Sequence, residues 1–213
     1  MNTIDTQALS ECSQGLADSA VAEYMTCHGL KQGRTLGFLG GLDESKRISF
    51  LAEALDRLWA TDPDLRVVVG GKGSQSNLLD VSISRGQTIR IGYATPYERA
   101  IIGRVASALL MPGRIGLVAV DALVLGIPIL TTDWPYHSAE ADYLIEGESR
   151  YTSGNDVDSY VALVRRFMLS PGNGGKSSSG SSWAYPTIDN MVANFSAGVL
   201  SMLGKAESPE CQS

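Results

Sequence analysis

MPGRIGLVAVDALVLGIPILTT, residues 111–132, carries the reading that decides the fold. Its most apolar part, Ile115 to Leu130, is shorter than the ~20 residues of a bilayer-spanning helix. It also contains Asp121 and is broken by Gly126 and Pro128. The segment therefore reads as a buried helix (115–125) running into a buried strand, GIPILTT (126–132).

The same alternation extends in both directions. Upstream lie the strand-like TLGFLGGL (35–42) and a helix from about Ser45 with Ile48, Leu51, Leu55 and Leu58 at helical spacing. RVVVGG (66–71), a weaker helix around 75–82, TIRIGY (88–93), a helix through about 96–105, and ALLMPG (108–113) follow. Downstream come a helix near 138–146, a short strand near 150–153 and a helix at 156–169. Short β-branched runs alternating with longer helical patterns are the signature of βα units on a parallel sheet. The expected fold is thus α/β: one doubly wound, Rossmann-like domain over residues 33–170. Residues 1–32 form a polar segment with an amphipathic helix around 16–28 and no strand. A Gly/Ser-rich linker (171–185), a C-terminal helix (186–204) capped by Thr187, and a polar tail (205–213) complete the chain.

Composition limits the function. With 17 Lys+Arg against 23 Asp+Glu the net charge is -6, which excludes the broad basic field of a duplex-coating nucleic-acid protein but leaves room for a local anion pocket. Cys12, Cys27 and Cys211 make an odd set with no CxxC pair, and only two histidines accompany them, so reduced thiols and no metal site are expected. The polar, acidic start MNTIDTQALSECSQ has no leader pattern, so the cytoplasm is the expected compartment and no transmembrane segment is expected.

Ligands of open α/β sheets bind at the carboxyl ends of the strands, and three turns there are glycine-rich. In Gly40-Gly41-Leu42-Asp43-Glu44-Ser45-Lys46-Arg47, two cations open a helix, where the macrodipole disfavours them. They either face an anion or pair with Asp43 and Glu44; spacing leaves both readings open. Gly70-Gly71-Lys72-Gly73 is a second candidate phosphate turn, or simply a tight βα turn. It lacks the third glycine of a dinucleotide fingerprint, having Ser76 there. Pro112-Gly113-Arg114-Ile115-Gly116-Leu117 opens the apolar helix with small residues and one cation, as an anion site at a helix start requires. Asp121 lies seven residues after Arg114, about 10 Å along the same face, and a carboxylate in a buried helix requires a partner. His137 and Glu140 follow the fifth strand at the same edge and are either site residues or ordinary loop residues. GNGGKSSSG around Lys176 fails as a phosphate loop because Ser170 stands where its first glycine belongs.

Together these turns resemble the C-terminal, donor-binding domain of GT-B glycosyltransferases, in particular the retaining group 1 or family 4 enzymes. GFLGGLDESKRISFLAEAL is similar to that family's "GRL…K" element, VVVGGKG to its "GxG" turn, MPGRIGLVAVDALVLGIPILTT to its E-x7-E element, and HSAEADYLIEG to its "PE…G" segment. NTIDTQAL resembles the inter-domain junction, and YPTIDNMVANFSAGVL the closing helix. The resemblance implies transfer of a sugar from a nucleoside-diphosphate donor to a hydroxyl acceptor, with retention and without a bound cofactor or metal. It implies that Lys46 contacts the diphosphate, that Asp121 holds the ribose, and that Gly113, Arg114, Gly116 and Leu117 cradle phosphate. Gly40, Gly41, Arg47, Gly71, Lys72 and Tyr93 would complete the donor site, with the base near Arg90 to Tyr93, and Glu140 and His137 would shape the sugar site. The family's first-motif arginine is Gly41 here, and the first glutamate of E-x7-E is Gly113; Arg114 or Arg47 is expected to supply the missing positive charge. Only the donor half is evident, so a separate acceptor-binding domain or subunit is expected. The alternatives are a catalytically silent nucleotide-sugar-binding module, a nucleotide-sugar epimerase and, last, a dinucleotide dehydrogenase.

Overall fold

The structure, a computed structural model, describes residues 5–170 and 183–205. Most of the expected Gly/Ser linker and the polar tail after Lys205 lie outside those residues. Six parallel strands form the core: β1 (Thr35–Leu39), β2 (Arg66–Gly70), β3 (Thr88–Gly92), β4 (Leu109–Met111), β5 (Ile129–Thr132) and β6 (Arg150–Ser153). Their order is β3-β2-β1-β4-β5-β6, the doubly wound arrangement in which the direction of winding reverses between β1 and β4.

The helices are α1 (Gln7–Gly15), α2 (Asp18–Cys27), α3 (Ile48–Thr61), α4 (Asp80–Ser84), α5 (Pro96–Val105), α6 (Val118–Leu125), α7 (Val157–Leu169) and α8 (Ile188–Lys205). Helices α3, α4 and α7 cover one face of the sheet; α5 and α6 cover the other, with α1 packed on α5 and α6. Strands β1, β4 and β5 are buried along their whole length, as expected of central strands with both faces covered. The buried side of α3 is Ile48, Leu51, Ala54, Leu55 and Leu58. Helix α5 starts at a capping box, Thr95 with Glu98, and has Pro96 in its first turn.

The structure corrects several local expectations. The N-terminal segment folds as two helices, because Leu9 and Leu16 as well as Val21 find the core. Lys46 and Arg47 do not open an α-helix. Residues Glu44–Lys46 form a single 3-10 turn, Arg47 adopts the left-handed conformation (φ 55°, ψ 51°), and α3 begins only at Ile48. The helix of residues 111–132 starts at Val118, not 115, so Gly116 and Leu117 stand ahead of it. The segment near 138–146 is a short 3-10 turn, Ala139–Tyr143. Helix α8 is present, with Asn190 N–H donating to the Thr187 hydroxyl (3.2 Å), and exposes Phe195, Leu200 and Met202. No helix among the described residues is long and apolar enough to cross a membrane.

Candidate functional site

The reversal between β1 and β4 opens a cleft of about 430 Å³ at the carboxyl edge of the sheet. Its walls come from the turns after β1, β2 and β3 and from the faces of α5 and α6. Gly40, Gly41, Lys46, Gly71, Lys72, Tyr93 and Asp121, seven of the expected site residues, line it; so does Arg99, which the sequence reading did not single out. Three cations against one carboxylate suit an anionic ligand.

Backbone hydrogen bonds stitch the rim together. Gly40 N–H donates to Gly70 O (3.0 Å), Leu42 N–H to Lys72 O (3.0 Å), and Arg114 N–H to Ser45 O (2.8 Å). The β1 turn is thereby tied to both the β2 turn and the β4 turn. These approaches are so close that glycine is required: a Cβ on Gly71 would sit 1.9 Å from Gly40 O. A Cβ on Gly113 would sit 2.5 Å from the Lys46 carbonyl carbon.

Asp43 spends its carboxylate on its own turn, accepting from Ser45 N–H (2.9 Å) and the Ser45 hydroxyl (2.6 Å). It therefore leaves Lys46 to another partner, and Lys46 Nζ donates to the Arg114 carbonyl. Burial pulls the Lys46 amine below the ordinary lysine value; Asp43 and Glu140 oppose this and Arg114 reinforces it. An amine so placed gains from an anion in the cleft.

Arg47 is turned away from that cleft. Its left-handed backbone directs the side chain along the edges of β4, β5 and β6, where Nη1 donates to Pro112 O (3.1 Å), Thr132 Oγ1 (3.1 Å) and Asn155 Oδ1 (2.6 Å). The guanidinium is packed between the rings of Phe50 (4.1 Å) and Trp134 (4.3 Å). Arg114 is exposed, and its Nε donates to Ser138 Oγ (2.7 Å).

Ahead of α6, the amides of Gly116 and Leu117 have no hydrogen-bond partner among the described residues. They are free to receive an anion at the positive end of the helix. The loop carrying them is held by His137: Ile115 N–H donates to Nδ1 (3.1 Å), which leaves Nε2–H to donate to Thr132 O (3.1 Å). Both ring nitrogens are used only if the ring is neutral, and burial lowers its pKa in the same sense. Glu140, in the adjacent 3-10 turn, is 6% exposed and acts electrostatically on Lys46.

Asp121, in the first turn of α6 and 6% exposed, faces Arg99. Arg99 Nη1 lies 3.3 and 3.5 Å from the two carboxylate oxygens, and Nε donates to Ala94 O (3.1 Å). Burial raises the Asp121 pKa, and Arg99 opposes that rise. The need for an Asp121 partner was readable from its burial in an apolar helix. That the partner is Arg99 depends on α5 packing beside α6.

The open parallel sheet thus carries, at its switch point, a cleft lined by three cations and one carboxylate. Residues 33–169 match the family described as Glycosyl transferases group 1, and the chain belongs to that family. It is 26% identical over 141 residues to the phosphatidyl-myo-inositol mannosyltransferase of Mycolicibacterium smegmatis, covering 63% of this chain and 36% of that protein. Among solved structures, it resembles the C-terminal domain of a glycosyl transferase group 1 family protein (LpcC) of Francisella tularensis. There the TM-score is 0.60 at 16% identity, over 90% of this chain and 98% of that one. It also resembles Anabaena HepE, solved in complex with UDP and glucose (TM-score 0.69, 12% identity, 92% of this chain and 55% of that one). The fold is that of the C-terminal domain of GT-B glycosyltransferases, and the chain spans only about a third of the mannosyltransferase.

Proposed function

We propose that this chain is the donor-binding domain of a glycosyltransferase, which holds a nucleoside-diphosphate sugar and passes its glycosyl group, with retention, to a hydroxyl acceptor. The observation that carries this reading is the convergence of Lys46, Lys72, Arg99 and Asp121 on one cleft at the switch point. Breaking the glycosidic bond to the diphosphate leaves negative charge on the departing phosphate. Lys46, Lys72 and the amides of Gly116 and Leu117 stabilise that charge as it develops. These fixed protein cations and dipoles, with no resident metal, serve the leaving group in this reading. Asp121 accepts from the ribose hydroxyls, Tyr93 borders the base, and Glu140 with His137 shapes the sugar side. The acceptor and the groups that orient it come from a second domain or subunit. The complex of Anabaena HepE with UDP and glucose supports this choice of ligand class.

The test is ligand-detected NMR of the purified chain with UDP, GDP and ADP, using wild type, Lys46→Ala, Asp121→Ala and Arg114→Ala. Selective binding of one nucleotide, weakened in Lys46→Ala and in Asp121→Ala and changed less than about threefold in Arg114→Ala, is expected. Absence of binding by a folded wild-type chain overturns the reading.

One observation favours a second reading, that of a catalytically silent module. The position of the family's first acidic residue is taken by Gly113, whose missing side chain leaves no space beside the Lys46 backbone. Donor hydrolysis, or transfer when an acceptor-binding partner is added, rejects that alternative.

A further inference from the structure

Within the donor-binding reading just proposed, Arg99 has an unusual place. It is absent from the glycine turns, lies on α5, and lines the cleft together with Lys46 and Asp121. Its Nε is anchored on Ala94 O, and a single nitrogen, Nη1, approaches both oxygens of Asp121 at 3.3 and 3.5 Å. Those are long contacts for a guanidinium–carboxylate pair, whose good hydrogen bonds run about 2.7–2.9 Å. Most of the acceptor capacity of this cleft-lining carboxylate thus remains unspent. An ionised carboxylate accepts hydrogen bonds and donates none, so the ligand groups it selects are donors, and hydroxyls above all.

Burial disfavours the charged form of Asp121, and a protonated carboxyl turns one of its two oxygens from acceptor to donor. The nearest charge that resists this is Arg99.

We infer that Arg99 is a positioning residue for nucleotide recognition: it orients the Asp121 carboxylate so that the cleft selects ribonucleoside diphosphates over their 2′-deoxy counterparts. Arg99 acts through Asp121, and the diphosphate is held by other groups. Loss of Arg99 therefore affects recognition of the ribose selectively.

The experiment measures binding of UDP, GDP and ADP, each beside its 2′-deoxy form, to the purified wild-type chain and to Arg99→Met, Arg99→Lys, Asp121→Asn and Lys46→Ala, between pH 6 and 9. Wild type is expected to prefer the ribonucleotide about tenfold, as one hydrogen bond to a charged group provides. Arg99→Met loses most of that preference across the range. Arg99→Lys retains most of it, Asp121→Asn loses it at every pH, and Lys46→Ala weakens both forms equally without altering their ratio. If Arg99→Met does not fold, the contrast between Arg99→Lys and Asp121→Asn carries the test. Nucleotide binding with an unchanged ribose preference in Arg99→Met, or equal weakening of both forms at all pH values, overturns the role of Arg99 and leaves the donor-binding reading intact. Binding of no nucleotide by folded wild-type chain overturns both.

Discussion

Restoring the family's acidic residue by Gly113→Glu should damage this protein. An added Cβ would lie 2.5 Å from the Lys46 carbonyl carbon, 2.6 Å from Ser45 O and 2.8 Å from Lys46 Cα. All three are backbone atoms, so no side-chain rotation relieves the overlap. Favourable carbon contacts lie near 3.5–4.0 Å, so the turn after β4 and the turn after β1 must part by roughly 1 Å. Forced overpacking of this kind costs about 1–3 kcal/mol. The same displacement stretches the Arg114 N–H to Ser45 O hydrogen bond, now 2.8 Å, beyond useful length, which adds about 1 kcal/mol. A total near 3 kcal/mol lowers the melting temperature of a domain this size by roughly 6–12 °C. The assay is thermal and urea denaturation followed by the fluorescence of Trp59, Trp134 and Trp183, with UDP, GDP and ADP binding measured in parallel. Gly113→Ala should show most of the loss, because the clash begins at Cβ. Gly15→Ala, with nothing within 4 Å of its Cβ, should show none. A Gly113→Glu protein that melts within about 2 °C of wild type and binds nucleotide equally well refutes the reasoning.

Two further outcomes follow from residues outside the lining of the cleft. Arg47→Ala removes three hydrogen bonds and the packing on Phe50 and Trp134, and should cost about 2 kcal/mol in urea denaturation. Arg47→Gly should recover about 1 kcal/mol of it, because φ at this position is 55°, where a Cβ is unfavourable. His137 is held neutral in the folded chain by burial, so its folded pKa lies below the unfolded value of about 6.5. Its contribution to stability is complete above that pH and is lost as the pH falls from about 6.5 toward the folded pKa. Urea midpoints measured from pH 8 to 5 should therefore show the advantage of wild type over His137→Asn shrinking on acidification; a constant difference contradicts the neutral-brace assignment.

The sequence by itself determined the sheet, the order of its six units, the glycine turns at the ligand edge, and the candidacy of Lys46, Lys72 and Asp121. Those features are local: strand and helix periodicities are written within ten or so residues, and a buried carboxylate announces its need for a partner wherever it stands. Tertiary structure alone decided which cations share the cleft. Lys46 and Arg47 are neighbours in the chain, yet one left-handed residue sends Arg47 along the ends of β4, β5 and β6 while Lys46 faces the cleft. Arg99 had no local mark, because its role arises where the doubly wound topology lays α5 beside α6 and brings residues 99 and 121 together. His137 was visible as a residue at the ligand edge, but not as the brace between Ile115 and Thr132, since hydrogen-bond partners of a ring depend on the path of two separate loops. Pattern fixes which face a side chain takes; only the packing of distant elements fixes what it meets there.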